Sequence, residues 1–141
     1  MTVIRPTKDD DTLYGIETIF VVIKWTALLF NVLTLISILD MLNHNLYMRR
    51  GYDECRFYTV TIHCLFGILA YVFGSYAAVI EDETYLILFA ILLLVNMAIA
   101  IFLEEYVQLS MRNLTLYTVC AMMSFIEAYL LRCKAKDVRK Y

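Results

Sequence analysis

The stretch "FYTVTIHCLFGILAYVFGSYAAVI", residues 57–80, contains no formally charged side chain. A spanning helix needs about 20 mostly apolar residues to cross a hydrocarbon core of about 30 Å, and this stretch is long enough to do so. Buried helices of soluble proteins rarely run so far without a charge. The stretch therefore predicts a transmembrane helix rather than a core helix of a soluble domain.

Composition and the remaining apolar runs extend this interpretation to the whole chain. The 141 residues are 62% hydrophobic, with one proline, four glycines and a net charge of -2, which is too apolar for an ordinary soluble domain. Short connections make neighbouring helices antiparallel. We therefore predict an all-α fold, an integral membrane bundle of four antiparallel transmembrane helices with short loops. The expected parts of this single domain, residues 1–141, are a polar N-terminal segment (1–15), four spans (about 16–41, 57–80, 85–104 and 113–132) and a basic C-terminal tail (133–141).

Orientation is read from the basic residues near the span ends, because cytosolic segments are enriched in Lys and Arg. Four spans place both termini on one side. That side carries seven basic residues against four on the other: Arg5, Lys8, Arg132, Lys134, Lys136, Arg139 and Lys140 against Arg49, Arg50, Arg56 and Arg112. We expect cytosolic termini. The span lengths suit either the plasma membrane or an internal membrane.

Lys24 lies inside the first span, and Glu127 is the only formal charge inside the other three, apart from the charged residues at which two of them end. Both fall roughly 6 to 8 Å from the same end of the predicted bundle. Ionisable groups in a membrane usually turn inward and find a partner. We therefore predict an ion pair between Lys24 and Glu127. The alternative is that the lysine snorkels to the headgroups.

Polar side chains form a stripe along one face of the first span, where Glu17, Lys24 and Asn31 are spaced by seven residues. Asn31 and Asn96 are placed close to mid-membrane, so a hydrogen bond between them is geometrically possible, and such bonds stabilise bundles by about 0.6 kcal/mol. A proton or ion relay would need a longer chain of acids and bases. The residues predicted to form polar packing contacts are Glu17, Asn31, His63, Asn96 and Ser124.

The second span carries small residues at helical spacing. Gly67, Ala70, Gly74 and Ala78 share a face with His63. Small side chains let helix backbones approach closely in membranes. This face could serve the bundle itself or a second copy of the chain, and we favour the bundle.

The four cysteines do not form a disulfide framework. Cys64 and Cys120 are expected inside spans, Cys55 in the outer loop and Cys133 at the cytosolic edge, where palmitoylation and a free thiol are both reasonable. His63 next to Cys64 lacks the ligand spacing of a metal site. Cofactor fingerprints and catalytic motifs are missing from the sequence. We expect no metal, no cofactor, no nucleic acid and no enzymatic activity.

Three segments resemble a known family. The segments "ETIFVVIKWTALLFN" (17–31), "RRGYDEC" (49–55) and "CAMMSFIEAYLL" (120–131) are similar to snakeskin, the small four-span membrane proteins of insect smooth septate junctions. The resemblance covers the first and last spans and the outer loop. It implies a component of epithelial cell junctions that acts through partners in the membrane.

The resulting expectation is a structural or interaction role in cell–cell junction assembly, with the lipid bilayer, other membrane proteins and a possible homo-oligomer as partners. We favour the plasma membrane over an internal membrane. The outer-loop residues expected to meet a partner are Arg49, Arg50, Tyr52 and Cys55. The alternative is a small transporter, channel or accessory subunit that uses the inward polar stripe. Four short spans would enclose a pore only by oligomerising.

Overall fold

A computed structural model describes the backbone of residues 8–48, 53–103 and 111–138, and the side chains of 14–48, 53–103 and 111–136. These residues form four α-helices and no strand. The helices are α1 (Lys8–Tyr47), α2 (Glu54–Ile80), α3 (Glu83–Phe102) and α4 (Met111–Val138). Each contains a segment that is long and apolar enough to cross a membrane. The predicted all-α bundle of four potential spans is confirmed.

The helices form a four-sided bundle in chain order. Helix α1 packs against α2 and α4, and α3 packs against the same two helices. We call the end that holds the α2–α3 turn, the start of α1 and the end of α4 the turn end. The opposite end is the loop end. Antiparallel neighbours of this kind follow from the short connections.

The α2–α3 turn is stabilised by its own sequence. Glu81, just after α2, has a φ of 60°, and its N–H donates to the carbonyl of Ala77. The side chain of Asp82 then caps α3 by accepting from the backbone N–H groups of Thr84 (2.9 Å) and Tyr85 (3.1 Å). A left-handed residue followed by an aspartate cap ends one helix and starts the next within two residues.

The helices extend beyond the predicted spans. Helix α1 begins at Lys8, so residues 8–15 of the predicted polar segment are helical, and α4 includes part of the predicted tail. Cys55 lies in the first turn of α2 and not in a loop. Hydropathy marks where a helix enters hydrocarbon, whereas the backbone hydrogen-bond pattern continues into polar surroundings.

Aromatic side chains fill the middle of the bundle. The rings of Tyr71 and Tyr117 stack with centroids 6.0 Å apart, and Phe89 meets Tyr71 edge to face at 5.7 Å. All three side chains are buried.

Large apolar residues such as Trp25, Leu69 and Phe102 are exposed on the outer surface of the bundle. Apolar side chains on the outside and polar ones inside are what a hydrocarbon solvent requires.

Candidate functional site

The structure gives Lys24 a different partner from the predicted one. Its Nζ donates to Oε1 of Glu81 at 2.7 Å, across the turn end from α1 to the α2–α3 turn. The side chains of Lys24 and Glu81 keep 18% and 39% of their exposure. The left-handed backbone of Glu81 brings its carboxylate to the rim of the bundle, where pairing requires less loss of hydration than a fully buried pair would. The predicted direct pair with Glu127 is therefore replaced.

Glu127 is fully buried at the same end of the bundle. Neither of its carboxylate oxygens has a hydrogen-bond partner among the described residues. The positive charge of Lys24 and the negative charge of Glu81 both act on it through space. Burying a carboxylate without a hydrogen-bond partner is energetically costly, so Glu127 is unfavourably placed for a charged side chain.

A polar face of α4 extends from Glu127 towards the loop end. Ser124, Cys120, Tyr117 and Asn113 are all buried along it. The Ser124 hydroxyl donates to the Cys120 carbonyl at 2.9 Å. This face meets α1, because the Cys120 sulfur lies 3.5 Å from Thr34 Oγ1 and Asn113 Oδ1 accepts from Ser37 Oγ at 2.8 Å. The first and fourth spans pack together through polar side chains.

The predicted stripe on α1 is only partly inward. Asn31 is buried, as are Phe20, Ala27 and Thr34 beside it. Glu17 is exposed at the turn end, where its Oε1 lies 3.5 Å from Nζ of Lys134. Glu17 is therefore an exposed residue at the turn end of the bundle rather than a polar packing residue in its interior.

Asn96 does not bond to Asn31. A Cβ built on Gly67 would lie 3.5 Å from Asn96 Nδ2 and 3.1 Å from Ile38 Cδ1, so Asn96 lies at the level of Ile38. Ile38 is two turns beyond Asn31, roughly 10 Å along α1. The Nδ2 and Oδ1 atoms of Asn96 both lack a hydrogen-bond partner among the described residues. The hydrogen bond between Asn31 and Asn96 is therefore not formed, because the two residues lie at different positions along the bundle axis.

His63 and Asn96 line a cavity of about 330 Å³ between α2 and α3, towards the loop end. Both side chains are buried, and both ring nitrogens of His63 also lack a partner among the described groups. Thr59 and four apolar side chains complete the lining, and three of the apolar ones, Ile62, Phe66 and Ile99, are exposed on the outer surface. The cavity walls are therefore largely apolar, and the unpaired atoms of His63 and Asn96 have almost no accessible surface.

The small residues of α2 are buried within the chain's own bundle. Gly67 faces Ile38 and Asn96, and Gly74 lies against the ring of Phe89. Ala70 and Ala78 are also buried. A Cβ on Gly74 would overlap the Phe89 ring, so glycine at this position allows the close approach of α2 and α3 without a shift of the ring or the helix.

Sequence reasoning missed two features of this site. Tyr71 at the bundle centre lies four residues after Gly67 and seven after Cys64, a helical spacing that was present in the sequence. The contact of Glu81 with Lys24 depends on a left-handed backbone conformation at Glu81, which the sequence does not indicate. The hydroxyls of Tyr71 and Tyr117 lack partners among the described residues.

The predicted outer-loop contact residues Arg49, Arg50 and Tyr52 lie outside the described residues, while Cys55 is exposed. All four cysteines are free: Cys64 and Cys120 are buried and Cys133 is half-buried on α4. Within the described ranges no group of three or more His, Cys, Asp or Glu side chains is placed to hold a metal ion.

Comparison of the chain with protein-family models, with curated proteins and with solved structures gives no match.

Proposed function

We propose that this chain is a non-enzymatic four-span membrane protein with a structural or interaction role, and that it acts in the assembly of cell–cell junctions. The observation that carries the structural part is the division of polar side chains. Those on the inner faces of the helices join one span to another, whereas the outer surface is largely apolar. Such a module is self-supporting and presents lateral surfaces to other membrane proteins.

Contacts at different levels support this role by holding α1 to the rest of the bundle. Lys24 joins it to the α2–α3 turn at one end, and Ser37 joins it to Asn113 of α4 nearer the other. Asn45 adds bonds from its Nδ2 to α2, at 3.2 Å to the Phe57 carbonyl and 3.0 Å to Thr61 Oγ1. A scaffold needs fixed helix positions, because its binding surfaces are made by residues on different helices.

The junction part of the proposal comes from the resemblance of the first and last spans and the outer loop to snakeskin proteins. In this role the segment between α1 and α2 meets a partner or a neighbouring cell, and exposed residues at the start of α2, Asp53, Glu54 and Cys55, extend that surface. Both termini are placed in the cytosol. The protein then works at the lateral plasma membrane rather than in an internal membrane.

Localisation of the tagged endogenous protein in a polarised epithelium, combined with its depletion, tests the proposal. We expect a lateral band at cell contacts and leakage of a paracellular tracer after depletion. Re-expression of the wild-type chain after depletion should restore the barrier. Re-expression of the double variant Asp53→Lys with Glu54→Lys should deliver the protein to the membrane without restoring the barrier. A reticular or vesicular signal with intact contacts would reject the junction role.

A second candidate function is that of a small transporter, channel or accessory subunit. The observation in its favour is the set of buried polar atoms without partners among the described residues, which runs from the turn end towards the loop end: Glu127, Tyr71, Tyr117, Asn96 and His63. Purified protein in liposomes, exposed to gradients of protons and common ions, distinguishes the two functions. Flux that Glu127→Gln abolishes would favour transport, and no flux would set it aside.

A further inference from the structure

We infer that the cavity between α2 and α3 is a binding site for one acyl chain of a membrane phospholipid, whose headgroup lies at the loop end. This requires only that the protein spans a membrane, and it is independent of the junction role. The walls of the cavity, the side on which it opens and the direction in which it runs all point to this occupant.

The accessible walls of the cavity suit an uncharged, apolar occupant. The described residues that line it include no Asp, Glu, Lys or Arg: they are Thr59, Ile62, His63, Phe66, Asn96, Ile99 and Leu103. The unpaired nitrogen and oxygen atoms of His63 and Asn96 have almost no accessible surface, so they are closed to a ligand. A water molecule is held in a cavity only by about two to four polar partners. Hydrocarbon therefore fits these walls better than water or a charged ligand.

The cavity opens on the surface of the bundle that faces the bilayer. Ile62, Phe66 and Ile99 line the cavity and are also exposed on the outer surface. The cavity walls are therefore continuous with the apolar surface that lipid tails cover in a membrane. A lipid tail enters sideways from the bilayer without crossing a polar barrier.

The cavity runs along the helices, which is also the direction of lipid tails. Its α2 wall extends from Thr59 to Phe66, and its α3 wall extends from Leu103 to Asn96. Each wall covers a separation of seven residues, which is roughly 10 Å along a helix. One leaflet contributes roughly 15 Å to a hydrocarbon core of about 30 Å. The cavity thus lies within the loop-end leaflet, parallel to the tails of its lipids.

A flexible hydrocarbon tail fits the cavity better than a helix of a partner protein does. The cavity volume is about 330 Å³. A helix is about 10 to 12 Å wide with its side chains, so it would enter only with individual side chains. An acyl chain follows the whole length of the cavity and restores the dispersion contacts that an empty space would deny to the lining.

Photo-labelling of the full-length protein in liposomes tests the site. The probe is phosphatidylcholine with a diazirine at one of several positions along its acyl chain, and the labelled residues are mapped by mass spectrometry. Phe66 and Leu69 lie about one turn apart on α2, with 36% and 70% of their surface exposed. Lipid that only surrounds the bundle should label Leu69 more, whereas an acyl chain held in the cavity should label Phe66 more. A larger yield at Leu69 for every diazirine position would overturn the inference.

Two variants place a bulky side chain at the opening, one on each wall. Ile99→Trp and Ile62→Trp should each remove the excess labelling of Phe66 and leave Leu69 unchanged. Ile101→Trp is the matched control for Ile99→Trp, because Ile101 is an exposed residue of the same helix outside the described lining. It should leave both yields unchanged. Excess labelling of Phe66 that persists in both opening variants would overturn the inference.

Competition in the same liposomes identifies the class of lipid. Added unlabelled phosphatidylcholine should lower the excess labelling of Phe66 in proportion to its dilution of the probe. Displacement by added cholesterol at a far lower mole fraction would assign the cavity to a sterol and overturn the assignment to an acyl chain.

Discussion

The ammonium group of Lys24 lies 2.7 Å from a carboxylate oxygen of Glu81, whereas the buried carboxylate of Glu127 remains without a hydrogen bond among the described residues. One lysine and two glutamates therefore share the turn end with unequal roles. The partly exposed pair fixes the α2–α3 turn to α1. The buried glutamate is left to interact with both charges only through space.

Charge exchange distinguishes these roles. Lys24→Glu places two carboxylates side by side and should lower the free energy of unfolding by about 1 kcal/mol. Adding Glu81→Lys should restore stability, since the pair is re-formed with reversed polarity, whereas adding Glu127→Lys should not. Thermal unfolding of the purified protein in detergent micelles measures this. If the double variant Lys24→Glu with Glu127→Lys regained stability and the double variant with Glu81→Lys did not, the predicted Lys24–Glu127 pair would be supported instead.

Neutralising Glu127 should not destabilise the bundle. Glu127→Gln keeps the shape of the side chain and removes a charge that is buried without a hydrogen-bond partner in the described bundle, so we expect a melting temperature equal to or above that of the wild type. Glu83→Gln is the control, because the carboxylate of Glu83 is partly exposed and lies 3.9 Å from Arg132 Nε. This change removes a charge that is not buried. A clear loss of stability in Glu127→Gln alone would mean that the carboxylate has an essential partner.

Much of the fold follows from the sequence, because hydropathy and charge placement alone define four long apolar segments. The inward faces also follow from helical spacing, as the buried positions His63, Gly67 and Gly74 illustrate. What the sequence does not supply is the relative level of the helices. The shift of one helix along the bundle axis relative to its neighbour depends on the backbone conformation of the connecting turn. This shift places Asn96 beside Gly67 rather than beside Asn31.

The candidate site shows the same division. The burial of Glu127 and Ser124 is readable from their spacing on one helix face. The choice of partner for Lys24 is not, since it requires a non-glycine residue with a φ of 60° just after α2. Local periodicity predicts which side chains turn inward, whereas long-range pairing depends on backbone conformations outside the helices.

Cysteine labelling tests the orientation. Cys55 is exposed at the loop end, whereas Cys64 and Cys120 are buried in the bundle. With cytosolic termini, a membrane-impermeant maleimide added to intact cells should label Cys55, and Cys133 only after permeabilisation. The variant Cys55→Ser is the control, which should remove the labelling of intact cells. Labelling of Cys133 from outside would reverse the orientation.

Gly74 lies so close to the Phe89 ring that a methyl group on it would overlap three ring carbons. Gly74→Ala should therefore lower the free energy of unfolding by about 1 to 3 kcal/mol, because helix α2 or the ring must move. Gly15→Ala is the matched control, since nothing lies within 4 Å of a Cβ there, and it should be neutral or stabilising by about 0.5 kcal/mol through reduced backbone freedom. The second change Phe89→Leu should recover part of the loss in Gly74→Ala, as the branched side chain is smaller than the ring. Chemical denaturation in mixed micelles measures all three variants. Equal stability of Gly74→Ala and the wild type would show that α2 and α3 are not held at the close separation that the contact requires.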